Sequence, residues 1–338
     1  MRSNGFKSRR PKLMPGNVPP QPDTARSILY ALGANFAIAV CKILGAMFTG
    51  SGALLAEAFH SLADTGNQCL LLLGRKQARA PASSHHPLGH GRATYFWSFV
   101  VALLLFVVGG LFSIYEGIRK LHEPGPLVAP WLAVAIVLFA TIAEGISLRM
   151  ALKQIDKVRG GSSLWSWFRV TRRSELIVVL GEDLAAMVGL TLALAALLGT
   201  IATDNAVYDA VGSIAIGTLL MVVASGLAIE IKSLLIGESA PPRTRRAIRA
   251  FLNAQPGVVE IEKLITMQQG DDLVIAVRAR MNTKATADEL VRMIADCKAA
   301  LRAAFPTATW IFFEPADERR RVRVNLRSRM RRAHSRTG

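Results

Sequence analysis

The stretch GALLAEAFHSLADTGNQ, residues 52–68, decides how the rest of the chain is read. It lies inside a long apolar segment and carries His60 and Asp64 four residues apart, which places imidazole and carboxylate one helical turn from each other on one face. Ionisable groups at membrane depth are costly, and they persist where they pair, line a pathway or bind an ion. Two readings fit the spacing: a pair of metal ligands, or a buried His–Asp contact that joins two helices.

The surroundings of this stretch belong to a membrane protein. Of 338 residues, 51% are hydrophobic and only 19% charged, more apolar than an ordinary soluble domain. Six segments are long and apolar enough to cross a bilayer, near 27–48, 51–74, 92–117, 127–152, 175–200 and 207–235. Arg75, Lys76, Arg79 and Arg92 flank the link after the second segment, and Lys153, Lys157, Arg159, Arg169, Arg172 and Arg173 crowd the link after the fourth. The links after the first and fifth carry no basic residue, so both termini are expected in the cytoplasm of a bacterial-type inner (plasma) membrane.

The net charge of +17 raises the question of nucleic acid. The basic residues gather at the chain ends and in the links, and no basic helix with interleaved aromatics is present, which excludes that partner. Cys41, Cys69 and Cys297 form no metal-binding or disulfide pattern. The absence of HExxH, GxSxG or a nucleotide loop argues against an enzyme. The link around KVRGGSSLWSWFRVTRR, residues 157–173, reads as a segment lying on the inner leaflet.

After Gly237 the composition turns soluble. RTRRAIRAFLNAQPG reads as a short helix stopped by Pro256 and Gly257, and VVEIEKLITM and LVIAVRARM read as strands joined at Gly270–Asp272. Thr286 and Glu289 form a capping box for a helix whose Leu290, Ile294, Cys297 and Leu301 share one face, and ATWIFFEP supplies a last strand. The expected fold is therefore an α-helical membrane protein of six transmembrane helices with a small α+β domain, αββαβ and ferredoxin-like, on the cytoplasmic side. The expected division is a basic disordered tail over 1–26, a membrane domain over 27–237, the α+β domain over 238–318 and a second basic disordered tail over 319–338.

GSGALLAEAFHSLAD at 50–64, HPLGHGR at 86–92, the six apolar segments and an αββαβ unit after LLIGESA at 234–240 together resemble the cation diffusion facilitators, over residues 27–317. The resemblance implies a homodimer that exports divalent transition metals, usually zinc, in exchange for protons. It implies a transport site with two ligands from the second span and two from the fifth. His60 and Asp64 match the first pair. In the fifth span Asp183 matches one ligand, while Val179 stands where the family's usual His or Asp would be. Glu182, beside Asp183, resembles the Glu-Asp pair of one subgroup and is the expected fourth ligand, with water as its rival.

His86 and His90 match the family's loop metal site, where Ser83 replaces the usual Asp and His85 is a possible substitute. The domain after Gly237 lacks the histidines some members use there, so its expected role is dimer contact. One imidazole and two or three carboxylates suit Zn²⁺, and also accept Mn²⁺, Fe²⁺, Co²⁺ or Ni²⁺. The metal is cargo, and no cofactor is expected. Asn35, Asn67, Gln68 and Glu144 are expected to line the path or bond across helices, and Asp209 and His122 to face external water. The alternative function is a transport-inactive relative serving as a subunit or regulator.

Overall fold

A computed structural model describes residues 24–316 apart from 124, 126, 160, 162 and 283–285. The disordered tails expected over 1–26 and 319–338 lie outside these residues, except for 24–26, where the first helix begins. In order the elements are α1 (Thr24–Thr49), α2 (Gly52–Ala78), α3 (Ala93–Leu104), a π-helical segment (Leu105–Leu111), α4 (Phe112–His122), α5 (Pro130–Arg159), α6 (Leu164–Val170), α7 (Ser174–Thr203), α8 (Val207–Ile236), α9 (Pro242–Asn253), β1 (Val258–Gln269), β2 (Asp272–Met281), α10 (Ala287–Ala304) and β3 (Trp310–Ala316).

Among the described residues, four helices are long and apolar enough to cross a membrane: Ala93–His122, which runs unbroken through α3, the π-segment and α4, then α5, α7 and α8. α1 and α2 are 26 and 27 residues long. α2 falls short in apolarity because it carries Glu57, His60, Ser61, Thr65 and Asn67, and it buries all five inside the bundle. The outer faces are the reverse of a soluble protein's: Met47, Val222 and Ile229 stand 75, 67 and 70% exposed, as lipid-facing side chains do.

The π-segment meets α8 backbone to backbone. A Cβ at Gly110 would stand 2.4 Å from Met221 Cγ, and one at Gly217 would stand 2.6 Å from the Gly110 carbonyl oxygen. Small residues here let two helices approach without a hydrophobic driving force.

α2 occupies the interior, in contact with α1, α3, the π-segment, α4, α7 and α8. Its N-terminus is held by a residue expected to face water. Asp209, at the start of α8, is 1% exposed. Its carboxylate accepts hydrogen bonds from the Ser51 hydroxyl at 2.6 Å, from the Gly52 and Ala53 amides, and from Lys120 Nζ at 2.8 Å. The expectation failed because a carboxylate near a helix end looks solvated in sequence, whereas here it satisfies orphan donors of another helix. His122 is exposed, as expected.

The C-terminal elements follow the expected order αββαβ. Their sheet runs β1-β2-β3, with β1 and β2 antiparallel and β2 and β3 parallel. α9 and α10 pack on it through Ile248, Leu252, Cys297 and Leu301. The capping box is present, with the Thr286 hydroxyl accepting from the Glu289 amide and the Glu289 carboxylate from the Thr286 amide. The β1–β2 turn docks on the bundle: Arg92 Nε donates to Gln269 Oε1 at 2.8 Å, and the Tyr95 hydroxyl to the Gly270 carbonyl at 3.2 Å.

Candidate metal-transport site

α2 presents its polar residues in one inward strip because Glu57, His60, Ser61, Asp64, Thr65 and Asn67 repeat at three- and four-residue intervals. His60 is fully buried, and its Nε2 lies 3.4 Å from Asp64 Oδ2. That approach lacks hydrogen-bond alignment: both ring nitrogens of His60 and Asp64 Oδ1 are buried without a hydrogen-bond partner among the described residues. Buried polar atoms are nearly always paired, so several orphans on one turn mark a place where something else binds.

α7 contributes the carboxylates facing this strip. Glu182 is 5% exposed and accepts from Asn67 Nδ2 at 2.6 Å. Asp183, one residue on, turns toward α5, where the Ser147 hydroxyl approaches Oδ1 at 3.5 Å and Oδ2 has no partner. The two acidic groups thus diverge onto two neighbouring helices, as 100° of helical rotation requires. Asp64 stands within electrostatic range of Glu182, Asp183 and Glu144 of α5. Among the described residues no three His, Cys, Asp or Glu side chains converge closely enough to hold one ion. The structure therefore pairs His60 with Asp64 and gathers Glu182, Asp183 and Glu144 around them, short of a closed ligand shell. Val179 is half-buried and packs against the apolar core.

Next to this group lies a cluster that the sequence reading missed. Lys42 of α1 is 0% exposed, as is Glu57 of α2. Lys42 Nζ lies 3.3 Å from Glu57 Oε2 and donates to Ser61 Oγ at 2.7 Å. The other carboxylate oxygen, Glu57 Oε1, has no hydrogen-bond partner among the described residues and rests against Gly189 of α7, where a Cβ would stand 2.3 Å away. The signal was available: a lysine inside the apolar run AIAVCKILGAMF, and a glutamate three residues before His60.

The second histidine group lies in the link between α2 and α3. The rings of His86 and His90 are 4.3 Å apart, and His90 Nδ1 is buried without a hydrogen-bond partner among the described residues. Ser83, in the position of the missing third ligand, instead closes the turn: its hydroxyl accepts from the His86 amide at 3.1 Å. His85 is exposed.

Comparison with known proteins agrees with this architecture. A proton-coupled zinc antiporter SLC30A9, mitochondrial, of Xenopus laevis is 32% identical over 265 residues, covering 75% of this chain and 47% of the relative. Metal tolerance protein C4 of Arabidopsis thaliana is 30% identical over 230 residues, 67% of this chain and 50% of that protein. Zinc transporter ZitB of Escherichia coli is 32% identical over 128 residues, 38% of this chain and 40% of that protein. The chain spans about half the length of the first two relatives or less. The model of the cation efflux transmembrane domain matches residues 28–236, from α1 to the last residue of α8, and on that match the chain belongs to the cation efflux family.

Proposed function

We propose that the protein moves a divalent transition-metal cation, zinc in the first instance, out of the cytoplasm in exchange for protons. The observation that carries this is the buried His60–Asp64 pair, whose polar atoms are left unpaired among the described residues and whose carboxylate stands within electrostatic range of Glu144 on α5 and of Glu182 and Asp183 on α7. Bringing a dication into low dielectric demands compensating negative charge, and a ligand shell supplies it. His60, Asp64, Asp183 and Glu182 are the ligands in this reading. Metal capture requires a neutral imidazole and ionised carboxylates, so binding releases protons and protonation ejects the ion. The ligands close around the ion as α2 and α7 shift against each other, in an alternating-access cycle. The names of the zinc-transporting relatives support the choice of cargo.

In this reading α1 and α2 are spans alongside the four apolar helices, making six, with both termini in the cytoplasm of an inner (plasma) membrane. The αββαβ unit over 238–318 is a ferredoxin-like cytoplasmic domain whose exposed Ile265, Val291 and Phe312 meet a second copy in a homodimer. His86 and His90, with His85, form an accessory loop site.

The test is metal flux in vesicles containing the purified chain under an imposed pH gradient. Zinc moves with wild type, Asp64→Ala and Asp183→Ala abolish flux, and Glu182→Gln weakens it. Wild type that moves none of Zn²⁺, Mn²⁺, Fe²⁺, Co²⁺ or Ni²⁺ ends the transporter reading in favour of a subunit or regulator, a role to which Val179 in the fourth ligand's place points. Glu182→Gln at wild-type rate, with Asp183→Ala inactive, assigns the fourth position to water or to another helix.

A further inference from the structure

A cavity of about 620 Å³ lies where the helical bundle meets the C-terminal unit, and its lining shares no residue with the proposed transport site. Arg159, Arg172, Arg173, Arg243 and Arg246 line it, against one carboxylate, Asp271. Their commitments differ. Arg172 is taken by Glu238 at 2.6 Å and by the Ser239 carbonyl, and Arg159 lies 2.8 Å from Asp156. Arg173, Arg243 and Arg246 form no ion pair among the described residues. Arg246 Nε donates only to the Pro242 carbonyl, at 3.3 Å, so three guanidinium groups without a carboxylate partner among the described residues, against Asp271, leave the walls with two positive charges in excess.

The cavity also sits at a defined height. Arg159 is the last residue of α5, Arg173 directly precedes α7, and Pro242 to Thr244 are the first turn of α9. Two apolar spans therefore end at its rim. α6 forms the adjoining wall: Trp167 is buried against Ile155 and Leu180, while Trp165 is 70% exposed and its ring lies parallel to that of Phe168 at 6.1 Å. An exposed indole beside arginines at the end of membrane-length helices is the composition of the headgroup layer. The first turn of α9 adds amides with no side-chain cap, which orient toward negative charge.

We infer that this cavity binds a polyanionic phosphate group: arginine forks match phosphate oxygens in pairs, and two excess positive charges match two phosphodiesters and offset most of the charge of one pyrophosphate. The shared chemistry can arrive as the headgroup of a diphosphatidyl lipid entering from the rim, or as a free phosphate compound from the aqueous side. In either case the occupant ties the cytoplasmic ends of α5 and α7 to α9, and so fixes the C-terminal unit against the spans.

The experiment uses the full chain in detergent, as wild type, as Arg243→Gln/Arg246→Gln, and as a control with two basic residues of α10 neutralised, Arg292→Gln/Arg302→Gln. In one arm native mass spectrometry measures retention of diphosphatidylglycerol against phosphatidylcholine. In the other, thermal unfolding is followed with added pyrophosphate. Wild type is expected to prefer the anionic lipid, the Arg243/Arg246 variant to bind it about 30-fold more weakly, and the control to match wild type. That result with no effect of pyrophosphate assigns the lipid source. Stabilisation of wild type by pyrophosphate, lost in the same variant, assigns the free source. Equal behaviour of the Arg243/Arg246 variant and wild type in both arms overturns the inference, as does an equal loss in the α10 control, which reports unspecific charge. Arg243 and Arg246 are exposed, and an unchanged melting temperature without ligand verifies that the variant is folded. Zinc flux is not a readout, so failure here leaves the transport proposal standing.

Discussion

Replacing Lys42 by Met tests whether a charge pair fixes α1 against α2 beside the proposed transport site. Methionine retains much of the length and volume of lysine, so the main change is loss of the ammonium. That group is fully buried, 3.3 Å from Glu57 Oε2 and 2.7 Å from Ser61 Oγ. Its removal strands a carboxylate that is itself 0% exposed and whose other oxygen already lacks a partner. Breaking one side of a buried ion pair costs about 3–5 kcal/mol, whereas replacing both sides by apolar groups is often nearly neutral. Lys42→Met is therefore expected to cost about 3–5 kcal/mol, and Lys42→Met/Glu57→Leu to recover at least about 2 kcal/mol of that loss. Reversible unfolding in mixed micelles of increasing sodium dodecyl sulfate content, followed by tryptophan fluorescence, gives all the corners of the cycle once Glu57→Leu is added. A single-mutant loss below about 1 kcal/mol, or a double-mutant loss equal to the sum of the singles, refutes the reasoning.

Three further outcomes follow from the geometry. Asp209→Ala removes the acceptor of the first α2 amides and leaves Lys120 with only the Gly50 carbonyl, and is expected to cost about 2–4 kcal/mol in the same unfolding assay, against about 1 kcal/mol for Ser51→Ala. Gly189→Ala places a methyl group 2.3 Å from Glu57 Oε1 and is expected to destabilise by about 1–3 kcal/mol, an effect that shrinks when Glu57→Ala is made in the same chain. Hydrogen bonds from Thr286 hold the Glu289 carboxyl below its ordinary value. The cap is therefore fully present above the unfolded value, about pH 4.3, and is lost as pH falls through the lower folded value. Protection of the first-turn amides of α10, taken relative to their intrinsic exchange rate, should fall over that range, and Glu289→Gln should flatten the response.

The parts of this architecture that were legible in the sequence are those written in local periodicity. Four of the six expected apolar spans, the αββαβ order and the Thr286–Glu289 box are each written in local sequence, and each is found where expected among the described residues. His60 and Asp64 were legible for the same reason, since an i, i+4 spacing fixes their mutual position on any helix. The Asp209 cap was not, because its donors lie more than 150 residues away and nothing near Asp209 distinguishes a buried acceptor from a solvated one. Lys42 and Glu57 carried a signal in their depth, but the pairing exists only once α1 lies beside α2.

Charge balance connects the missed pair to the proposed transport. Glu57, Asp64, Glu144, Glu182 and Asp183 act on one another electrostatically, and Lys42 acts on Glu57 and Asp64. Five carboxylates against one ammonium carry a formal charge of −4 if all are ionised, an excess that a membrane interior does not hold without counter-ions. A dication cancels half of it and leaves a further two charges to be met, and in the absence of metal the whole excess must be met another way. Hydrogen ions are the counter-charge able to reach isolated buried oxygens without a ligand shell. In the proposed cycle, exchange of metal for protons serves this charge balance, and the ammonium of Lys42 reduces by one the number of protons the empty state must carry.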